Sequence, residues 1–174
     1  MVAEHWYADE HKVRGLTLVV VCIPVAHLAR CRAEMKSLVR LPKRTGGPLH
    51  FVRESDATKT AAFNTIATLP ITVRTVTVPA GVKAVPARER AVRWIARNAR
   101  RDLPHRLVLE RDERAVDADR RWLRDELAGS DVEYLHEGKG EPLLWIADGI
   151  AWAHHRGGKW LRMVEQLIVE DARA

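Results

Sequence analysis

Carboxylates stand in this chain where apolar runs end. Asp9 and Glu10 directly follow the aromatic and apolar run HWYA, and Glu110 and Asp112 close another, RLVLERD. Acids emerging at strand ends are the raw material of sites in α/β sheets. Further along, Glu141, Trp145, Asp148 and Trp152 fall at i, i+4, i+7 and i+11, one continuous helical face, so two carboxylates are expected to point the same way. Asp148 lies inside PLLWIADGIAW, and a carboxylate in so apolar a run is costly unless a partner or a metal satisfies it. Hard oxygen donors of this kind suit Mg²⁺ or Mn²⁺. Two such ions activate water and stabilise the leaving oxygen of a phosphodiester.

Each acid also has a structural alternative. A buried Asp148 can bond a backbone amide or an arginine, and Glu141 beside Pro142 suits the first turn of a helix. Asp9 and Glu10 can belong to a solvated hairpin turn, and Glu110 and Asp112 to the charged loop ERDER. His50, His105, His136, His154 and His155 offer a general base or ligand, or are packed or surface residues. His154 and His155 are adjacent, point to different helix faces and read as partners of a helix C-terminal dipole.

Basic residues supply the means to hold phosphates. Arg93 and Arg97 belong to an arginine-rich helix, with Glu89, Asp102, Asp119 and Asp125 available as ion-pair partners. Lys43 and Arg44 lie in the loop LPKRTGGP with no adjacent acid, which makes them candidate phosphate contacts. Trp94 and Trp122 fall at core spacing, while Trp145 and Trp152 flank Asp148, where they could wall a dry pocket or stack a base.

The elements that must position these groups follow from periodicity. Residues 5–9 and 16–23 read as a β-hairpin whose second strand, nearly all apolar, belongs deep in the sheet. A helix is expected from Val25 to Leu41, a loop over 41–48, a short extended piece from Leu49 to Arg53, and a helix capped by Ser55 or Asp56 and stopped by Pro70. Then come a strand over 71–78, a helix from Pro86 to Arg101, the strand RLVLE at 106–110 and a helix from Asp117 or Asp119. A strand over 132–136, a long helix from Glu141 and a last amphipathic helix ending near Glu170 complete the chain. This alternation predicts one α/β domain, a mixed sheet with helices on both faces.

Length and composition bound the rest. With 174 residues, 47% hydrophobic, the chain matches one domain of roughly 150 residues and can bury its core without disulfides. The longest apolar stretch, Leu16 to Ala26, contains Pro24 and is too short to span a membrane. The first residues do not read as a basic, cleavable leader, so a cytoplasmic setting is expected. Cys22 and Cys31 have neither redox nor metal-finger spacing and read as buried free thiols. A net charge of +6 favours an acidic partner such as nucleic acid. GKGEP is not a nucleotide-cradling loop, and no G-x-S-x-G elbow is present.

Four motifs, YADEH at 7–11, LHF at 49–51, LVLERD at 107–112 and EPLLWIADGIAWA at 141–153, resemble in order the domain-of-unknown-function family number thirty-eight hundred, whose members look like ribonuclease-H-fold proteins. The match lies at Asp9-Glu10, His50-Phe51 and Ala147-Asp148, while the family's usual Asp-Glu-Ser-Gly is replaced by Asp9-Glu10-His11-Lys12. The resemblance implies a ribonuclease-H-like fold in which Asp9 is the central metal ligand, joined by Asp148 and by Glu110 or Asp112. The expectation is therefore a nuclease dependent on Mg²⁺ or Mn²⁺. Asp9, Glu110 and Asp148 would be its ligands, Glu10, Asp112 and Glu141 supporting acids, and Lys43, Arg44, His50, Arg93 and Arg97 its nucleic-acid contacts. The alternative is a non-catalytic module of the same fold that binds nucleic acid or protein.

Overall fold

The computed structural model describes residues 2–42, 44 and 46–174. Strands β1 (Glu4–His11) and β2 (Gly15–Pro24) form the expected hairpin, antiparallel with Asp9 opposite Val19. Gly15 is required at its turn: its φ is +111°, and a Cβ there would lie 2.5 Å from the Val78 carbonyl oxygen. Helices α1 (Leu28–Ser37) and α2 (Asp56–Ile66) follow, then β3 (Thr72–Pro79), α3 (Ala84–Asp102), β4 (Arg106–Glu110) and α4 (Val116–Leu127). The chain continues through β5 (Glu133–Glu137), α5 (Pro142–Arg156), the short α6 (Gly158–Arg162) and β6 (Ile168–Arg173).

The six strands lie in the order β5-β4-β1-β2-β3-β6. β2 is antiparallel to both of its neighbours, β1 and β3, whereas β4 is parallel to β1, β5 to β4 and β6 to β3. The sheet divides the core in two. Tyr7, Val19, Val21 and Ile23 face α1, α2, α5 and α6, and Trp6, Leu18, Val20 and Cys22 face α3 and α4. β2 is buried on both faces from Leu18 to Ile23, as its apolar run requires. Cys22 and Cys31 are buried free thiols in opposite halves of this core.

Three sequence expectations are corrected. The helix expected over 25–41 is α-helical only from Leu28 to Ser37, and its ends tighten into 3₁₀ turns at Val25–His27 and Leu38–Arg40. The piece from Leu49 to Arg53 is a turn, because the His50 carbonyl accepts from the amides of Arg53 and Glu54 at 2.8 and 3.1 Å. The last segment ends in a strand. Leu161, Val164 and Leu167 imitate helical spacing, but the chain from Ile168 alternates half-buried and exposed residues and pairs with β3, where Thr75 also bonds Asp171. Ser55 does cap α2, accepting from the Thr58 amide at 3.1 Å.

Two packing devices hold the elements around the end of β1. On one face, Gly149 of α5 lets the Phe51 ring lie against the helix: a Cβ at 149 would approach that ring to 2.6 Å. Phe51 is itself pinned by Phe63, with ring centroids 5.0 Å apart. On the other face, Asp119 of α4 is fully buried and accepts from Arg88 of α3, Nε at 2.8 Å and a terminal nitrogen at 2.7 Å, with His136 Nε2 of β5 at 3.0 Å. Burial pushes the Asp119 carboxyl up, but the hydrogen bonds from Arg88 and His136 outweigh it and its pKa is lowered.

Asp119→Asn takes from the buried Arg88 guanidinium its two-pronged partner, leaving it Glu10, and is expected to cost about 1–3 kcal/mol in urea denaturation. Because the folded pKa of Asp119 is depressed, its contribution is complete above the usual carboxylate pKa of about 3.9 and is lost as the pH falls below it. The variant's denaturation midpoint should lack that acid limb. Gly149→Ala should cost about 1–3 kcal/mol by displacing the Phe51 ring, read as a lowered melting temperature; an unchanged value would show that the ring moves freely.

Candidate active site

β1 and β4 run parallel with Ala8 opposite Leu109, so the next residues, Asp9 and Glu110, stand side by side where both strands end. Side chains alternate along a strand. Asp9 follows Tyr7, and Glu110 follows Val108, onto the face covered by α5. α5 lies across β1 and β2 there and brings in Asp148. Asp148 Oδ2 is fixed by the Phe51 amide, which donates to it at 3.2 Å.

The three carboxylates converge on an ammonium. Lys139 Nζ lies 3.1 Å from Asp9 Oδ2, 3.0 Å from Glu110 Oε1 and 3.9 Å from Asp148 Oδ1. Lys139 sits in the tight connection between β5 and α5, where the Glu141 amide donates to the Gly138 carbonyl at 3.1 Å. The Trp145 indole N–H donates to the Lys139 carbonyl at 2.7 Å, so the backbone that carries the lysine is anchored to α5. Among the described residues no three carboxylates, imidazoles or thiols form a ready-made cage for a metal ion. The acids close on Lys139 instead.

Electrostatics reflect this crowding. Burial raises the Asp9 pKa well above the ordinary carboxylate range, and a hydrogen bond with Glu110 adds to the rise against the pull of Lys139. Burial also acts to raise Glu110, but its bond to Asp9 and the Lys139 charge outweigh it, and its pKa is lowered. Asp148 is raised, chiefly by burial, against Lys139 and the Phe51 amide. Burial lowers Lys139, yet the three acids prevail and push it up to about 12.

The other sequence candidates divide around this centre. Glu10 does not join Asp9: as its neighbour on a strand it points to the opposite face, where it pairs with Arg88 and with Lys12 at 2.6 Å. Asp112 lies beyond the end of β4, accepts from the Arg114 amide at 3.1 Å and meets Lys12 at 3.4 Å. Glu141 does not share the site of Asp148. At the N-cap of α5 it turns back to the Leu143 amide at 3.1 Å and takes a two-pronged contact from Arg32 of α1, both prongs at 3.0 Å. The cleft at the strand ends, about 460 Å³, is lined by Asp9, Glu10, Glu110 and Asp112 together with Lys12 and Arg88.

Of the candidate nucleic-acid contacts, His50 adjoins Phe51, whose amide holds Asp148, while its own amide donates to Glu54 at 3.3 Å. Arg44 is not a free cation. Its buried guanidinium grips Glu54 at 2.8 and 3.0 Å, because the turn at His50 folds Glu54 back over the loop. Lys43 lies outside the described residues. Arg93 and Arg97 tie α3 to α4 through Glu126 at 3.1 and 3.0 Å, and Arg93 also meets Glu89 at 2.9 Å, the ion-pair alternative for this helix. His136 is the packed partner of Asp119, His105 is exposed, and His154 lies 3.3 Å from Asp171. His155 packs at a tilt against His11, with ring centroids 4.6 Å apart. Trp152 packs with Phe63 and Trp160, so neither tryptophan flanking Asp148 is an open base platform.

Lys139 is the residue that sequence reasoning missed. The only local signal is a lysine set between two glycines just before the helix that carries Asp148.

No family model matches the chain, and no curated protein matches it. Among solved structures, it is similar to a chain of the PCNA:RNase HII complex from Archaeoglobus fulgidus, with a TM-score of 0.53 at 15% identity, over 96% of this chain and 76% of that one. At that identity the likeness speaks for the fold alone. Together with the strand order and the helices on both faces, it makes this a ribonuclease-H-like α/β fold.

Proposed function

We propose that this chain is a divalent-metal-dependent nuclease, or a related phosphodiester-processing enzyme, acting on nucleic acid. The observation that carries the reading is the convergence of Asp9, Glu110 and Asp148 on one cation at the strand ends of a ribonuclease-H-like sheet. The donor set fits Mg²⁺ or Mn²⁺: three carboxylates from three elements, all hard oxygens, already gathered around a single positive charge that stands in for the ion. Asp9, Glu110 and Asp148 would hold it. When bound there, the ion supplies an activated water and stabilises the leaving oxygen.

The chain's own groups have narrower tasks. The Phe51 amide orients Asp148, and burial keeps Asp9 dry and rigid. Lys12 and Arg88 line the opening and offset charge there, while Glu10 and Asp112 hold them rather than an ion. The net charge of +6 suits a polyanionic substrate. The similar solved structure is named as a ribonuclease HII, which agrees with this reaction class. Membership in the family of domains of unknown function that the motifs resemble, and a cytoplasmic setting in keeping with two unpaired buried thiols, belong to the same proposal. Among the described residues no helix is long and apolar enough to cross a membrane.

A second reading rests on Lys139 itself. An ammonium that already bridges Asp9 and Glu110 and faces Asp148 lets the chain serve as a non-catalytic binding module.

Melting in EDTA, Mg²⁺ and Mn²⁺ separates the two. A metal at about a hundred times its dissociation constant should add about 2.7 kcal/mol, and Asp9→Asn should abolish the rise. Turnover of single- and double-stranded DNA and RNA should fall about a hundredfold or more in Asp148→Asn. If metal shifts nothing and Asp148→Asn alters only thermal stability, the binding module is the correct reading.

A further inference from the structure

We propose that Lys139 is a tethered counter-cation that occupies the metal position of the carboxylate cluster, so that a divalent ion loads only as the ammonium withdraws. This rests on the reading of Asp9, Glu110 and Asp148 as metal ligands. Nζ sits at 3.0 to 3.9 Å from one oxygen of each acid. A divalent ion shared by the same oxygens needs contacts of about 2.0–2.6 Å, so the ion and the ammonium cannot occupy the same space.

The arrangement is built rather than incidental. The Trp145 indole holds the Lys139 carbonyl at 2.7 Å, and the Glu141 amide closes the turn on Gly138. Glu141 is held in turn by Arg32. The backbone is therefore fixed close to the acids, while the lysine side chain keeps its flexible four-carbon stem. That side chain is 24% exposed, so the ammonium has a route to solvent, unlike Asp9 at 2%. Lys12 and Arg88 are engaged by Glu10 on the opposite face of β1, which leaves Lys139 as the cation that the three acids share.

Two consequences follow. Without metal the ammonium offsets part of the cluster's negative charge, so the acids can stay together with no ion bound. With metal, binding competes against a cation that is always present at high effective concentration because it is tethered. The site then responds to metal over a higher concentration range than three bare carboxylates would.

The test is Mn²⁺ binding by the full chain without nucleic acid, with free Mn²⁺ counted by its electron paramagnetic resonance signal, alongside melting in EDTA. Lys139→Met should bind Mn²⁺ about tenfold to a hundredfold more tightly than the parent, the scale on which a nearby charge shifts cation affinity at a carboxylate. It should also melt lower than the parent in EDTA and recover when Mn²⁺ is added. Lys139→Arg, which keeps the charge and grips carboxylates in a fork, should bind Mn²⁺ more weakly than the parent and serves if the methionine variant fails to fold. If the parent binds Mn²⁺ and both variants bind it with unchanged affinity, Lys139 is a structural ion pair and this inference falls while the metal-site reading stands. If neither the parent nor either variant binds Mn²⁺, the metal-site reading itself fails and the inference falls with it.

Discussion

Three carboxylates brought together at the ends of two interior strands demand a positive charge. Asp9 is buried, Glu110 is half-buried beside it, and Asp148 reaches in from a helix that is otherwise core. Burial first, and the neighbouring acids after it, make such groups resist ionisation, and the raised pKa values of Asp9 and Asp148 express that resistance. Lys139 answers it in the protein as folded. The turn before α5, the Trp145 indole that anchors it and the Phe51 amide that holds Asp148 make geometric sense as the frame of that one compensated charge cluster.

The sheet acts as a partition as much as a support. Asp9 and Glu10 are neighbours in sequence, yet strand alternation sends them to opposite faces and into different networks. On the α5 face Asp9 meets Glu110, Asp148 and Lys139. On the α3 face Glu10 meets Arg88, which continues to Asp119 and His136. Much of the basic character of α3 is absorbed in similar pairs with α4, and the net charge of the chain overstates how many of its arginines are free.

α5 serves two roles that constrain each other. Its apolar residues fill the larger half of the core, and Asp148 with its fixed amide contact faces the cluster. Gly149 reconciles them, because the absent side chain lets the turn at His50 and Phe51 come close enough for that amide to reach Asp148. A core helix and a site wall are thus joined by a single missing Cβ.

The sequence by itself determined the α/β class and the burial of β2, and it singled out Asp9, Asp148 and the pair Glu110 and Asp112 as candidate acids, because strand and helix periods and the rule that buried charge needs a partner are local properties of the chain; that Glu110 and not Asp112 stands beside Asp9 was decided by the pairing of β1 with β4. The sequence also pointed to Arg93 and Arg97 as phosphate contacts, Arg44 as a free cation and Glu141 as a companion of Asp148. Those readings gave way, because ion pairing is settled by which acids the fold brings alongside, and Glu126, Glu54 and Arg32 are distant from or inconspicuous beside them in sequence. The last strand was hidden for a similar reason: its half-buried alternation acquires meaning only next to β3. Lys139 is the clearest case. A lysine between two glycines carries no signal of its own, and only the parallel pairing of β1 with β4, with α5 laid across them, brings three acids around its ammonium.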